Sequence, residues 1–134
     1  MKLVKKMMWL QVGEKDFDNL PETDAVYIIV AHTTRKHYIA IYTGQTNDIK
    51  RRSKEHWSED ETNEKLKNVI ANCKDAISLF YALDNENSLD GHEKFLYEHY
   101  EPQTQSKAPD VEPRPISLPE NVVNEIIIND YFAS

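Results

Sequence analysis

Residues 41–57, IYTGQTNDIKRRSKEHW, constrain this chain more than any other stretch, because the backbone must change period within them. Ile39 and Ile41 alternate with Ala40 and Tyr42 as a strand does, Gly44 allows a tight turn, and Asn47 or Asp48 suits a helix cap. The residues that follow read as a helix. On it Arg52 and His56 stand four apart and share a face, with Asp48 one turn earlier. Lys50, Arg51 and Lys54 add positive charge nearby, so an anion would be drawn there.

The rest of the chain can be placed around that stretch. Residues 25–31, AVYIIVA, form an apolar run rich in β-branched and aromatic residues, which predicts a buried strand. The polar HTTRK that follows separates it from a second strand over 37–42, so the two predict a β-hairpin. After the basic helix, Ser58 or Thr62 offers a cap for a second helix reaching about Cys73, with Leu66, Val69, Ile70 and Cys73 on its apolar face. Residues 76–83, AISLFYAL, predict a third strand. A third helix then runs from 88 or 91 to Tyr100 and stops before Pro102. Four of the six prolines fall within 106–119, which predicts an extended connector. Val122, Val123, Ile126 and Ile127 suit an amphipathic helix, with a strand over 125–129 as the competing prediction. The divisions expected are a leader over 1–21 packing on the domain, a main domain over 22–106, and a connector with an amphipathic end over 107–134.

A chain of 134 residues supports one domain with a real core. Its net charge of -7 argues against a protein that coats nucleic acid without regard to sequence. The charge is unevenly distributed, however. Residues 25–56 hold six Lys or Arg against two acids, whereas residues 57–134 hold six against sixteen. A local anion site inside an acidic protein fits that asymmetry. Cys73 is the only cysteine, so neither an internal disulfide nor a cysteine-based zinc site can form, and its expected place is a buried helix face. No stretch approaches the roughly 18 apolar residues of a membrane span. A soluble cytoplasmic protein without a membrane partner is the expectation.

Without any family knowledge the chain offers strands carrying Tyr27 and Tyr42, a helix with Arg52 and His56, and a later helix bearing Glu93. A group to activate water, a cation for a crowded phosphorane and a carboxylate for a hard metal ion are what phosphodiester hydrolysis needs. Each residue also has a plain structural explanation. Tyrosines in strands pack at core edges, a helical Arg among cations faces solvent, His56 can pair with nearby acids, and Glu93 in an acidic half is one more surface carboxylate. His92, beside Glu93, is the remaining histidine of interest.

The order AVY at 25–27, YTG at 42–44, Arg52 eight residues past Gly44 and His56 four further resembles the GIY-YIG nuclease family. A second motif agrees: Glu93, Leu96, Tyr100, Pro102 and Gln105 resemble the Glu-x2-Leu-x3-Tyr-x-Pro-x2-Asn pattern that closes many such domains. The resemblance covers about residues 22–106. It implies an α+β fold, a small three-stranded antiparallel sheet flanked by helices, and a metal-dependent endonuclease that uses one Mg2+ or Mn2+ ion. Tyr27 and Tyr42 would be the paired motif tyrosines, Tyr42 acting on the attacking water. Arg52 would neutralise charge on the phosphate, His56 would act at the same face, and Glu93 would hold the metal. Gly44, Lys50, Arg51, Lys54 and Gln105 would contact substrate, with DNA rather than RNA the expected polymer.

Three departures stand out. Ala25 replaces the usual Gly, Thr43 replaces an apolar residue, and Gln105 replaces Asn with a reach one methylene longer. The rival expectation is a module on the same fold that binds nucleic acid or protein without cutting. A third is an interaction protein, its acidic later half and Ile-rich tail docking on a basic partner or on a second copy.

Overall fold

The computed structural model describes residues 3–33, 36–105 and 107–124. The predicted strands and helices assemble into an α+β structure around one mixed sheet. Its strands are β1 (Leu10–Val12), β2 (Ala25–His32), β3 (Tyr38–Thr46), β4 (Ile77–Leu83) and β5 (Val122–Val123), in the spatial order β1-β4-β2-β3-β5. The helices are α1 (Ile49–His56), α2 (Glu64–Asn72) and α3 (Leu89–Tyr100). The three expected strands form the antiparallel centre, β4-β2-β3. The sheet is nevertheless wider than the three strands expected. β1 adds to β4 antiparallel, and β5 adds to β3 in parallel over Tyr38 and Ile39.

The near-continuous apolar run of β2 has a direct cause, since this strand is covered on both faces. Ala25, Tyr27 and Ile29 point to one side and pack with Ile49, Leu66 and Ile70 of α1 and α2. Val26, Ile28 and Val30 point to the other and pack with Leu89, Leu96 and Tyr100 of α3. Met7, Ile116 and Val122 join this second core, so the segments before and after the central strands share it rather than forming separate units. The N-terminal segment is more than a leader. Lys5 and Ser117 are joined by a backbone bond of 2.8 Å, and Met7 N–H donates to Ser117 Oγ at 2.7 Å. The Pro-rich connector thus runs beside the first residues. Val122 and Val123 are strand, not helix, because the β3 edge offers them main-chain partners; residues 125–134, including Ile126 and Ile127, lie outside the described residues.

Several local predictions shift. Asp48 caps α1 as expected, its side chain accepting from Arg51 N–H at 3.0 Å. Free N–H groups at the start of α1 are met by the carbonyls of Thr23 and Pro21, which pins the helix beside β2. The α2 cap is Asn63, not Ser58 or Thr62; its side chain accepts from Leu66 N–H at 3.1 Å. Cys73 is exposed at the end of α2 because the helix has rolled Leu66 and Ile70 inward. α3 ends at Glu101, whose φ of 46° breaks the helix one residue before Pro102. No helix among the described residues is long and apolar enough to cross a membrane.

Gly44 makes no turn. β3 continues through it to Thr46, and none of the described glycines has positive φ. Gly44 sits directly opposite Tyr27 across the β2–β3 pair, and a Cβ there would lie 2.5 Å from the ring carbon Cζ and from the hydroxyl of Tyr27. Only a bare backbone leaves space for that ring. Gly44→Ala should therefore cost about 1–3 kcal/mol, the usual penalty for overfilling a packed core. A thermal-unfolding midpoint equal to that of the unsubstituted chain would show that the ring can give way.

Candidate active site

β3 is the element on which the site is built. Tyr42 and Gly44 turn towards the face covered by α1, and Gln45 turns towards α3. The pairing register shifts between Ile29 and Val30, so Ile41 is the extra residue of a bulge beside Tyr42. Along this part of β3 the outer edge is closed by side chains. Gln105 receives Thr43 N–H at 2.9 Å and donates its amide to Thr43 O at 2.7 Å, standing in for a neighbouring strand. Thr104 Oγ1 donates to Ile41 O. Gln105 therefore clamps the wall of the site, a task for which its longer reach is suited, and Thr43 uses its hydroxyl in the same contact at 3.1 Å.

α1 brings Arg52 and His56 against the two tyrosines. The Tyr27 hydroxyl lies 2.7 Å from His56 Nε2, and His56 Nδ1 lies 2.8 Å from Glu61 Oε2. Tyr27 and Tyr42 stack with ring centroids 6.2 Å apart, and His56 meets both rings edge-on. Arg52 is the partly open member, with 30% of its side chain exposed and Nη1 3.9 Å from Glu61 Oε2. His56 is 1% exposed. His56 does lie on the Arg52 face as expected, but its place there is behind Tyr27, since the imidazole is enclosed by its own neighbours.

These positions set the charge states. Burial pushes the Tyr27 phenol well above its ordinary range, the nearby Tyr42 adds to this, and Arg52 opposes it. Tyr42 is raised for the same first reason, burial, again with Arg52 pulling it down. Both are therefore neutral phenols near pH 7. Burial works against the Arg52 guanidinium, but the phenols and Glu61 outweigh it and hold its pKa above the usual value. His56 is lowered by burial, partly offset by Glu61, so the imidazole is neutral near pH 7. Burial alone would raise Glu61; His56 above all, by hydrogen bonding and electrostatics, then the Asn63 N–H and Arg52 bring it below its ordinary range.

Glu93, on α3, reaches the same region from the other side of β3. Its charge bears on both Tyr27 and Tyr42. Burial raises its pKa to about 7, with Gln45 lowering it by hydrogen bonding and Asp90 raising it. Gln45 also donates to Asp90, so one amide spans both carboxylates. Tyr42 and Glu93 line one open cleft of about 510 Å³, together with Asn63, Lys65, Gln105 and Lys107. Among the described residues no group of three or more His, Cys, Asp or Glu is placed to hold a metal ion. Glu93 thus supplies one hard oxygen donor beside an open cleft. That donor set fits Mg2+ in the manner in which waters and substrate oxygens complete the coordination, and it does not fit a dedicated protein cage.

Tyr27, Tyr42, Arg52 and His56 are therefore brought together. Glu93 joins them through the cleft it shares with Tyr42 and its charge on the two phenols, whereas Lys50, Arg51 and Lys54 do not. The three cations line a separate groove on the far side of α1 with Glu22, Glu55 and Asp60. Lys54 pairs with Asp18 at 2.7 Å and Arg51 with Glu55 at 3.5 Å. Helical spacing explains the split, because Lys50 and Lys54 are rotated away from the face that Arg52 and His56 share. Gly44 acts through Tyr27 instead of through a ligand. His92 pairs with buried Asp84 at 2.6 Å and lines a different groove with Lys5 and Arg114. Leu96 and Tyr100 of the second motif are core residues. Sequence reasoning missed Glu61 and Gln45. Glu61 is one of four acids within residues 59–64, and no spacing rule separates it from the others.

No family model, curated protein or solved structure matches this chain.

Glu93 gives a measurable signature. Its carboxyl has a folded value above the 4.5 of an open chain, so its contribution to stability is full below about pH 4.5 and is lost as pH rises through about 7. Glu93→Gln should remove that loss. Denaturant unfolding at a series of pH values should show the variant more stable than the original above pH 7, with the difference shrinking towards pH 4.5. Two parallel curves would mean that Glu93 titrates as an ordinary surface carboxylate.

Proposed function

We propose that this protein is a metal-dependent endonuclease of the GIY-YIG type, hydrolysing phosphodiester bonds of nucleic acid, with DNA the expected polymer. One observation carries the proposal. Three stretches far apart in sequence, around Tyr42, Arg52 and Glu93, converge so that Arg52 and Glu93 both act on the two tyrosines, and Tyr42 and Glu93 share an open cleft. The central antiparallel strands, with α1 on one face and α3 on the other, agree with the three-stranded arrangement that the resemblance implies.

In this proposal a phosphate enters the cleft beside Tyr42, with Lys65 and Lys107 on its lining. Arg52 meets the charge that builds on the non-bridging oxygens as water attacks phosphorus and the bond to the leaving oxygen breaks. Tyr42 is a neutral phenol near pH 7, so its hydroxyl orients the water rather than standing ready as an anionic base. Glu93 would hold Mg2+ or Mn2+, which supplies Lewis-acid polarisation of the phosphate and charge for the leaving oxygen. Burial of Glu93 favours its protonated form, so cation and phosphate should bind together rather than separately. Tyr27 and His56 form the packed backing that holds Arg52 and Tyr42.

A second proposal, a module that binds nucleic acid or protein without cutting it, draws on the separate groove of Lys50, Arg51 and Lys54 and on the net charge of -7. Purified protein, Glu93→Ala and Arg52→Lys distinguish the two on supercoiled plasmid, branched DNA and single strands with Mg2+ or Mn2+. The expected outcome is metal-dependent nicking that Glu93→Ala abolishes. Arg52→Lys, which keeps the charge beside Glu61 but loses the planar fork, should lower kcat by about 100-fold. Binding without cleavage by all three proteins on every substrate would favour the module.

A further inference from the structure

We infer that Glu61 is a positioning residue of this site, its carboxylate setting the hydrogen-bond polarity of the His56–Tyr27 pair and holding Arg52 beside it. The catalytic consequence rests on the hydrolase proposal; the polarity does not. Glu61 is buried, and each of its oxygens has a defined task. Oε2 lies 2.8 Å from His56 Nδ1 and 3.9 Å from Arg52 Nη1, while Oε1 accepts Asn63 N–H at 3.2 Å. An ionised carboxylate only accepts hydrogen bonds. His56 Nδ1 must then carry a proton and donate it to Glu61.

The next contact follows from the first. A neutral imidazole protonated at Nδ1 presents a lone pair at Nε2, so the 2.7 Å contact is the Tyr27 hydroxyl donating to His56. The lone pairs of the Tyr27 oxygen remain available to Arg52, which has donors only. With the opposite tautomer, Nε2–H would donate to Tyr27 and take up one of the lone pairs otherwise available to Arg52, while a bare Nδ1 would set its own lone pair against the Glu61 carboxylate 2.8 Å away. Glu61 excludes that arrangement.

The same residue links this backing to the cleft. Asn63, whose N–H bonds Glu61, donates its side-chain amide to Thr104 O at 2.6 Å, and the Thr104 hydroxyl donates to Ile41 O beside Tyr42. Asn63 and Thr104 both line the cleft. One carboxylate thus orders the imidazole, the guanidinium and a wall of the cleft at once.

A glutamine cannot replace it. Its single oxygen can serve His56 Nδ1–H or Asn63 N–H, and the amide NH2 would face the other donor. The test uses protein labelled with 15N at histidine, the His56 signal being assigned by its loss in His56→Asn. The unsubstituted protein near pH 7 should show His56 protonated at Nδ1 and bare at Nε2. Glu61→Gln should move that signal towards the Nε2–H tautomer and lower kcat on DNA by about 10–100-fold, as loss of an outer partner does, with KM changed far less. Glu61→Asp, which keeps both acceptor oxygens on a shorter arm, should retain the Nδ1–H tautomer and recover part of kcat.

An Nε2–H or doubly protonated His56 in the unsubstituted protein would overturn the inference. So would a folded Glu61→Gln with unchanged tautomer and kcat. If Glu61→Gln does not fold, the unsubstituted spectrum and Glu61→Asp decide the matter. A protein that cuts no substrate would refute the hydrolase proposal, while the histidine spectrum would still judge the polarity assigned to Glu61.

Discussion

The ring of Tyr27 fills the space over Gly44 that any side-chain carbon would occupy, and the site is arranged around that contact. With the ring there, its hydroxyl reaches His56, its face stacks with Tyr42, and α1 can approach close enough to bring Arg52 to both phenols. A side chain at position 44 would push the ring out of this arrangement. The contact is cross-strand, so it also ties the geometry of the site to the register of β2 on β3. The geometry of the candidate site and the sheet packing are therefore held by the same atoms.

Charge is arranged in two parts. On the α1 side, Arg52 is surrounded by two phenols and Glu61, and His56 and Glu61 are hydrogen-bonded to each other. On the α3 side, burial first and the like-charged Asp90 next make the ionised form of Glu93 costly, with the hydrogen bond from Gln45 offsetting only part of it. Under the proposed function a bound cation would relieve that cost and a phosphate would meet Arg52, so the open cleft that Tyr42 and Glu93 line would matter more than the density of positive charge on α1.

The end segments contribute to the body of the fold. The chain before β2 and the chain after α3 bond to each other through Lys5, Met7 and Ser117, and each also extends the sheet at one edge. Main-chain groups at a sheet edge need partners, and these two segments supply them where Gln105 and Thr104 do not. Two strands of two and three residues are too short to show a pattern of alternation, so neither was visible beforehand.

The central strands and the three helices were legible because they depend on short-range spacing: alternation along a strand, four residues along a helix, a cap before it; Tyr27, Tyr42, Arg52, His56 and Glu93 stood out as a set only through the resemblance to the GIY-YIG pattern. That spacing also placed Arg52 and His56 on one face without any structure. It could not show that Lys50, Arg51 and Lys54 serve a different groove, that Gly44 exists for Tyr27, or that Gln105 clamps Thr43, since each of these depends on a partner from elsewhere in the chain. Glu61 is the sharpest case. Among the neighbouring acids Glu59, Asp60 and Glu64 it has no local distinction, and only the folding of the loop against α1 selects it as the partner of His56. The amino-acid order by itself determined which groups could take part, whereas tertiary structure alone decided which of them are buried together, because burial and charge balance are properties of neighbours in space.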